Sequence, residues 1–403
     1  MDLLRTIVQR YAWGSPTAIP ELLGVPNPDG GPQAELWMGA HPNAPSTVDR
    51  DGHEQRLDQL IGTDPARFLG ERTAERFHGR LPFLLKVLAA GRALSIQLHP
   101  DRAQAEAGFA AEEARGVPRD ARDRVYVDDW PKPEILCALT PFEVLAGLRS
   151  AREAADILGR LALPDLNDLV DGLRAEPEPA QVAVALAQLL RLPDEKREQL
   201  VDQVVAAAAK TAANAGTDAA RGAYELVGRL ALDFPGDIGV VCSLLMNHRI
   251  LQPGQALFMA AGGVHAYVQG TGVELLANSD NVIRAGLTPK HIDVPELLRI
   301  LDPSVPVPVL AARSTGAGVE QFDTGVPEFV LRRLTSGSDD PLDVPGRGEP
   351  RILLCVGGEA ELVAGEQRLR LTRGQSCFLA ADDPDATLTG TAAFFLAAPG
   401  ETD

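Results

Sequence analysis

The sequence predicts a mainly β protein with an all-α insertion, in which two β units have the short strands and tight turns of jelly-roll barrels. Short alternating apolar and polar stretches, bounded by Gly and Pro, fill both ends of the chain, as expected of half-buried strands. Residues 143–235 are instead rich in Ala and Leu at helical spacing, with Pro between the runs. The pattern L-x-x-G-Q-x-x-F-x-A-A occurs at 251–261 and again at 371–381, which indicates two copies of one β fold.

These stretches divide the chain of 403 residues into four parts. We expect a first β unit formed by 1–142 and 236–300, interrupted by the helical insertion 143–235, and a second β unit at 301–403. The two copies differ just after the repeated pattern, where His265 in the first corresponds to Asp385 in the second. No histidine follows His291, so the second unit is predicted to be a structural or interaction domain without metal.

Composition and charge argue against several classes of protein. The net charge of −18 disfavours a nucleic acid or an anionic membrane as partner, because both require a basic surface. No run of about 18 apolar residues is present, and the first residues lack the apolar core of a signal peptide. The cysteines lie far apart in apolar runs without a CxxC pair, which predicts buried free thiols in a reducing cytoplasm: Cys137, Cys242, Cys355 and Cys377.

A candidate metal site begins in the stretch 94–100, where Leu94, Ile96 and Leu98 alternate with polar residues. This alternation predicts a strand with one aliphatic face and one polar face. Gln97 and His99 lie two residues apart on the polar face, at about 6.6 Å along the strand, so their side chains can converge on one ion. A strand whose polar face is merely solvated is the alternative.

Glu134 and His265, each at the end of a predicted strand beside a Pro or Gly turn, complete a set of four candidate ligands with Gln97 and His99. This mixed nitrogen and oxygen set suits Zn, Mn, Co, Ni or Fe(II), and the ligands alone do not choose among them. His41 can face the same cavity. The remaining histidines are interpreted as surface or packing residues: His53, His78, His248 and His291.

A second concentration of polar residues follows His265, at 274–291. It offers Arg284 and Lys290 for an anionic ligand and Glu274 or Asp280 for proton transfer. Lys86, in the otherwise apolar run 81–88, and Lys132 add cations, so a phosphate can bind despite the acidic whole. The alternative is a loop with a helix cap at Ser279 or Asp280 and solvated charges.

The chain resembles the type I mannose-6-phosphate isomerase (phosphomannose isomerase) family in segments that follow one order along most of its length. The matching segments are Y-x-W-G-S at 11–15, A-E-L-W-M-G-A-H-P at 34–42, L-P-F-L-L-K-V-L at 81–88, S-I-Q-L-H-P at 95–100, K-P-E at 132–134, G-x-x-H-A-Y at 262–267 and G-x-E-L-x-A-N-S-D-N-V-x-R-A-G-L-T-P-K at 272–290. One departure is Pro131, where many members of the family carry His before K-P-E.

This resemblance implies a metal-binding cupin (jelly-roll) domain split by a helical insertion, followed by a second cupin-like domain. It implies one zinc ion held by Gln97, His99, Glu134 and His265, with Mn²⁺, Co²⁺ or Fe²⁺ as other metals of the same type. It also implies a catalytic role for Arg284 in the interconversion of mannose 6-phosphate and fructose 6-phosphate. We therefore expect a monomeric enzyme with a sugar-phosphate substrate and no nucleic-acid or membrane partner.

The reaction requires proton transfer between C1 and C2 through an enediol(ate), with the metal polarising the sugar oxygens. Glu274, Asp280, Lys132 and metal-bound hydroxide are candidates for the base, and the sequence does not decide among them. The expected substrate contacts are Ser95, Lys86, Lys290, Trp13 and Tyr267. Two other classes are alternatives: a cupin oxygenase that uses Fe(II), and a cupin that binds a sugar without catalysis.

Overall fold

The computed structural model describes the chain except for residues 51, 176–177, 215–216, 338–339 and 402–403. The elements before the long helical region are β1 (Asp2–Leu3), β2 (Ile7–Gln9), α1 (Ala18–Leu23), β3 (Glu35–Gly39), β4 (Thr47–Arg50), β5 (His53–Arg56), α2 (Leu57–Thr63), α3 (Pro65–Leu69), α4 (Glu71–Arg76), β6 (Phe83–Ala90), β7 (Ile96–Leu98), α5 (Arg102–Ala114), β8 (Glu134–Ala138) and β9 (Phe142–Leu148). Nine of these fourteen elements are strands, and the five helices among them are mostly short.

A helical region follows, with α6 (Ala151–Gly159), α7 (Asn167–Ala175), α8 (Pro179–Leu190), α9 (Asp194–Ala212), α10 (Asp218–Asp233) and the short α11 (Gly239–Cys242). Helix α6 begins at Ala151 because the Ser150 hydroxyl accepts the Glu153 amide while the Glu153 side chain caps Ser150 in return. The start of the range predicted to be helical is instead strand β9. None of the helices in the described residues is long and apolar enough to cross a membrane.

Strands return in the last part of the chain. Its elements are β10 (Met246–Leu251), β11 (Ala256–Met259), β12 (His265–Ala277), β13 (Ile283–Gly286), α12 (Val294–Ile300), β14 (Val309–Leu310), β15 (Arg313–Gly316), β16 (Val319–Phe322), β17 (Val330–Ser336), β18 (Leu342–Asp343), β19 (Arg351–Ala364), β20 (Gln367–Thr372), β21 (Ser376–Leu379), β22 (Ala386–Thr389) and β23 (Ala392–Ala398). The fold is therefore mainly β with a helical region, as the sequence predicts.

The first sheet, as we call it, contains eleven of the described strands, and its main path runs β14-β11-β8-β12-β6-β3-β2. The long strand β12 joins two layers of this sheet. Its second half, 270–277, pairs with β6, and its first residues pair with β7 and β9. The strand bends between the halves, where the register shifts after Tyr267 and Gly270 has a φ of 141°. A glycine permits this bend because a Cβ there would strike Phe142 at 2.8 Å.

The second sheet contains ten of the described strands, with the path β1-β21-β19-β23-β17-β16-β15. Its long strand β19 has the same role as β12, since it pairs with β21 and β23 at one end and with β20 and β22 at the other. The sequence predicts barrels, and this is wrong in detail: both sheets are open. Each pair of layers encloses its core by packing face to face around one bent strand, so no ladder needs to close on itself.

The two sheets pack against each other through one apolar core. Leu36, Val87 and Leu275 contribute to it from the first sheet, and Leu331 and Leu354 from the second. Because neighbouring residues on a strand face opposite ways, the other face of the first sheet is left for different side chains. That face carries the polar residues described below.

The helical region packs on the second layer of the first sheet. Its core joins Leu158, Val204 and Leu226 of the helices to Leu98 and Ile283 of strands β7 and β13. All four cysteines are buried and free, which confirms the prediction from their spacing. The helices therefore support the strands that carry Gln97 and Arg284 from behind.

Candidate active site

Three side chains from different strands converge in the interior of the first sheet. His99 follows β7, Glu134 opens β8 and His265 opens β12. Their ligand atoms all lie within 4.8 Å of one another, and all three residues are buried. Oε2 of Glu134 is 3.3 Å from Nε2 of His99 and 3.4 Å from Nε2 of His265. The three ligand atoms therefore face one common point, as the donors of a metal ion do.

The two imidazoles are oriented by backbone carbonyl groups. Nδ1 of His99 donates to the carbonyl of Asn281 at 2.8 Å, and Nδ1 of His265 faces the carbonyl of Gly263 at 3.3 Å. In this tautomer each Nε2 carries a lone pair directed at the common point. Burial lowers the pKa of His99 to about 4, so the ring is neutral at ordinary pH.

The Glu134 carboxylate is held in its charged form. Burial alone would raise its pKa, but the Lys132 ammonium beside it holds the pKa well below the usual range. Lys132 Nζ lies 3.1 Å from Oε1 of Glu134, on the side away from the imidazoles. The other oxygen, Oε2, has no hydrogen-bond partner in the described residues, and neither does Nε2 of His99. Buried polar atoms without partners are costly unless a ligand satisfies them.

Gln97 and Ser95 lie beside these three residues. Nε2 of Gln97 is 3.5 Å from Nε2 of His265, and the Ser95 hydroxyl donates to Oε1 of Gln97 at 3.3 Å. The structure therefore places Gln97, a predicted ligand, at the edge of the donor group. Ser95 lies in contact with Gln97, where it can orient the amide.

Arg284 lies in the same row of the second layer. The register pairs Arg284 with Gln97 and Gln97 with His265, so the three side chains share one face. Arg284 makes no hydrogen bond or ion pair with another described residue, and partial burial lowers its pKa slightly from the ordinary arginine value. Lys290 lies in the segment after β13 and is exposed. It lines a cavity of about 350 Å³ beside the helical region.

A buried ammonium lies on the polar face of the first layer. Lys86 Nζ is 3.3 Å from Oε2 of Glu274 and 3.6 Å from Oε2 of Glu35. Burial would favour neutral Lys86, but the two carboxylates raise its pKa, so it remains a cation. Burial raises the pKa of Glu274 to about 7, against the opposing charge of Lys86.

Asp280 is partly buried in the loop between β12 and β13. Its Oδ2 accepts from Nδ2 of Asn43 at 2.8 Å and lies 3.4 Å from Nε2 of His41, which the sequence places at the cavity of the metal ligands. Burial would raise the pKa of Asp280, but His41 keeps it below the usual value. Its backbone amide donates to Asp128 at 2.8 Å, which fixes the loop.

The two expected aromatic contacts lie on either side of one apolar cluster. Tyr267 is fully buried, and its hydroxyl has no hydrogen-bond partner in the described residues. Burial and the charges of Glu274 and Glu134 raise its pKa well above the ordinary value. Trp13 packs at the edge of this cluster, with its ring centre 5.8 Å from that of Tyr11.

The sequence belongs with known isomerases by two family models and by full-length relatives. The model of the type I phosphomannose isomerase catalytic domain matches residues 1–151, and that of the mannose-6-phosphate isomerase cupin domain matches 347–399. The mannose-6-phosphate isomerase of Escherichia coli K12 is 39% identical over 394 residues, which cover 97% of each chain. The chain belongs to the type I phosphomannose isomerase family. The Bos taurus enzyme of the same name is 34% identical, over 94% of this chain and 93% of its own.

Solved structures of the phosphomannose isomerase family share this fold. The K86A mutant of phosphomannose isomerase from Salmonella typhimurium matches with a TM-score of 0.91 and 36% identity, over 100% of both chains. A zinc-bound mannose 6-phosphate isomerase matches with a TM-score of 0.90 and 36% identity, over 99% of both chains. In the present chain the unpartnered, buried Nε2 of His99 and Oε2 of Glu134 fit such an ion. Zinc is therefore the cofactor that the donor set and the family support.

Two buried residues that sequence reasoning did not single out belong to this site. Glu35 holds both Lys86 and the Trp37 ring, whose Nε1 donates to its Oε2 at 2.7 Å. Asn281 orients His99 through its carbonyl and ties down the loop before Glu134, since its amide oxygen accepts from Val127 at 2.9 Å. Both lie within segments that resemble the family, which is the one signal that marks them.

Proposed function

We propose that this protein interconverts mannose 6-phosphate and fructose 6-phosphate. One observation carries the proposal: three buried metal donors, two of which have an unpartnered atom, face the same interior as two lysines and Arg284, which has no partner among the described residues. Such a site combines the ligands of a divalent metal with cations that suit a sugar phosphate. The relatives that match the full length of the chain bear the name of this activity.

The residues that hold the metal are His99, Glu134 and His265, with Gln97 at the edge of the group. When zinc is bound there, it supplies a Lewis acid that favours negative charge on the sugar oxygens. The Lys132 ammonium keeps Glu134 ionised. The backbone carbonyls at Nδ1 of His99 and His265 leave Nε2 of each ring free to bind the metal. This chemistry stabilises the enediol(ate) through which an aldose becomes a ketose.

The remaining steps fall to residues of the chain. Arg284 provides a positive charge for the developing enediolate, because its guanidinium shares the ligand face and has no other described partner. Asp280 is a candidate base that is ionised at neutral pH, and Glu274, with a pKa of about 7, can carry a proton either way. Lys132 completes the candidates for proton transfer.

Substrate binding is proposed for the groups around this centre. Lys86 and Lys290 are candidates for the phosphate, Ser95 contacts the substrate or orients Gln97, and Trp13 and Tyr267 pack against the sugar. KM values for mannose 6-phosphate and for mannose show which lysine binds the phosphate. A substitution at that lysine should raise the KM for mannose 6-phosphate and leave the KM for mannose unchanged.

The test is a coupled assay for fructose 6-phosphate formed from mannose 6-phosphate, with zinc measured on the same sample. Removal of metal by a chelator should abolish turnover, and added zinc should restore it. Turnover in D₂O should place deuterium at the carbon that receives the proton, as an enediol requires. Full activity of metal-free protein would overturn the role of the metal, and Arg284→Ala with unchanged turnover would overturn that of Arg284.

The same experiment separates the rival functions. A cupin oxygenase would consume oxygen with Fe(II), and a sugar-binding cupin would bind mannose 6-phosphate without forming product. The charge of Arg284 favours an anionic sugar over the substrate of an oxygenase. The complete set of metal donors favours catalysis, because a protein that only binds sugar does not need a Lewis-acid site.

The finer organisation of the chain is part of this proposal. We infer a zinc cupin domain from 1–142 and 236–300, a helical domain at 143–235 and a second cupin-like domain at 301–403 without metal. We also infer a monomer that acts in the cytoplasm without a nucleic-acid partner. Light scattering and cell fractionation test these statements.

A further inference from the structure

We propose that Glu35 is a positioning residue for this isomerisation. It holds the Lys86 ammonium on the polar face of the first sheet and fixes the Trp37 ring against that ammonium. This inference rests on the proposed function, because Lys86 is one of its substrate-binding residues. Glu35 itself does not need to touch the substrate.

The position of Glu35 follows from the register of three neighbouring strands. Trp37 of β3 is opposite Lys86 of β6, which is opposite Glu274 of β12. Glu35 lies two residues before Trp37 and therefore shares its face. The four side chains form one patch on the polar face of the first sheet.

The contacts within this patch give the ammonium two anchors on opposite sides. Oε2 of Glu35 is 3.6 Å from Lys86 Nζ, and Oε2 of Glu274 is 3.3 Å from it. Lys86 Nζ also lies 5.0 Å from the centre of the Trp37 ring. An ammonium has three N–H donors, so at least one remains for a ligand oxygen even if each carboxylate accepts one. With Glu274 alone, the flexible lysine chain would turn toward β12.

The burial of Glu35 is difficult to explain by stability. Its exposed fraction is 6%, and those of Lys86 and Glu274 are 6% and 3%. Apolar side chains can replace a buried group of charges without loss of stability, so the charge of Glu35 calls for another role.

The substitution Glu35→Gln separates positioning from packing. Its amide oxygen can still accept from Trp37 Nε1, while the charge that holds Lys86 is lost. We expect kcat/KM for mannose 6-phosphate to fall by about tenfold to a hundredfold, the range seen when supporting partners of a site are removed. Zinc content and the thermal midpoint should stay near those of the wild type. Glu35→Asp, which keeps the charge, should recover part of the activity, and Glu54→Gln on the exposed β5 is the control.

A double-mutant cycle with Lys86→Met decides whether Glu35 acts through the lysine. If it does, adding Glu35→Gln to Lys86→Met should cause no further loss. Two outcomes would overturn this inference alone, given an active wild type. One is that the losses in kcat/KM from the two substitutions add, and the other is that Glu35→Gln keeps full activity. A wild type without isomerase activity would overturn it together with the proposed function. If Glu35→Gln does not fold, the cycle is run with Glu35→Asp, whose smaller loss should vanish in the same way.

Discussion

The two sheets contain the same turn, built from the same residues. In the first sheet Gly254 has a φ of 88°, and so has Gly374 in the second. The side-chain oxygen of Gln255 accepts the amide of Gln252 at 2.8 Å, and that of Gln375 accepts the amide of Thr372 at 2.9 Å. The repeated sequence pattern therefore encodes one backbone structure twice.

The two sheets differ just beyond the strand that follows this turn. His265 begins β12, is fully buried and faces Glu134. Its counterpart Asp385 lies just before β22, is exposed and pairs with Arg347 at 2.9 Å. The comparison teaches that the turn and strand are a scaffold, and that the chemistry depends on which side chain comes after that strand and whether it points inward.

The interiors of the two sheets differ in the same sense. In the first, charged side chains line the face that carries Glu134, among them Lys86 and Glu274. In the second, the corresponding interior is filled by a cluster of apolar residues that includes Leu353 and Phe394. A cavity for a sugar phosphate requires the first kind of interior, whereas the second is suited to support.

The largest effect should come from replacing His265, the buried histidine that follows the repeated pattern in the first sheet. His265→Ala should remove bound zinc and lower kcat/KM by more than about a hundredfold, because the group loses a ligand rather than a supporting contact. Asp385→Ala, at the matching position of the second sheet, should change activity less than about twofold, since an exposed ion pair contributes little. Metal analysis and the coupled assay check both variants. Equal losses at the two positions would contradict the proposed difference between the sheets.

The sequence predicts the donor group because alternation and turn residues are local properties. The polar face of the stretch 94–100 and the turns beside Glu134 and His265 indicate where each side chain stands, and the structure brings them together. Glu35 escapes this reasoning because every residue of β3 is buried, so the strand shows no alternation between a polar and an apolar face. Asn281 acts on His99 through its carbonyl, which its side chain does not reveal.

The fold class is predictable for a similar reason, and its details are not. Helical spacing in the Ala-rich region marks α6 to α10 correctly. The sequence pattern assigns most of strand β9 to that region because 142–148 is rich in the same small and aliphatic residues. Closure of a sheet depends on the geometry of the complete ladder, so the prediction of barrels failed where local patterns carry no information.

The charged interior of the first sheet should make stability depend on pH. The pKa of Glu274 is raised to about 7 from an ordinary value of 4.5, so the folded state binds its proton more tightly than the unfolded state. This contribution is complete below about pH 4.5 and is lost as the pH rises to about 7, on the order of 3 kcal/mol in all. Urea unfolding of chelator-treated protein at pH 5 and pH 8 measures it. Glu274→Gln should remove this part of the decrease, and an unchanged pH dependence would contradict the assignment.

The two turn glycines should respond unequally to substitution. An alanine at a positive φ costs about 1 to 2 kcal/mol in either turn. A Cβ on Gly374 would also lie 2.8 Å from the carbonyl of Leu22, which is backbone, whereas one on Gly254 would meet the mobile end of Arg333 at 2.7 Å. We therefore expect Gly374→Ala to lower the free energy of unfolding by about 2 to 3 kcal/mol and Gly254→Ala by about 1 to 2. Denaturant unfolding checks the order, and a larger loss for Gly254→Ala would show that Arg333 cannot move aside.

The smallest effect should come from the turn glutamines. Gln255→Ala removes one hydrogen bond to a backbone amide, which is worth about 1 kcal/mol. Gln375→Ala removes the same bond and also a contact with the Thr372 hydroxyl at 3.0 Å, so its loss should be slightly larger. Because neither side chain reaches the donor group, kcat/KM should remain within about twofold of the wild type in both variants. Loss of activity in Gln255→Ala with unchanged stability would mean that the turn of the first sheet positions the site as well as supporting it, and the two turns would then differ in function despite their common structure.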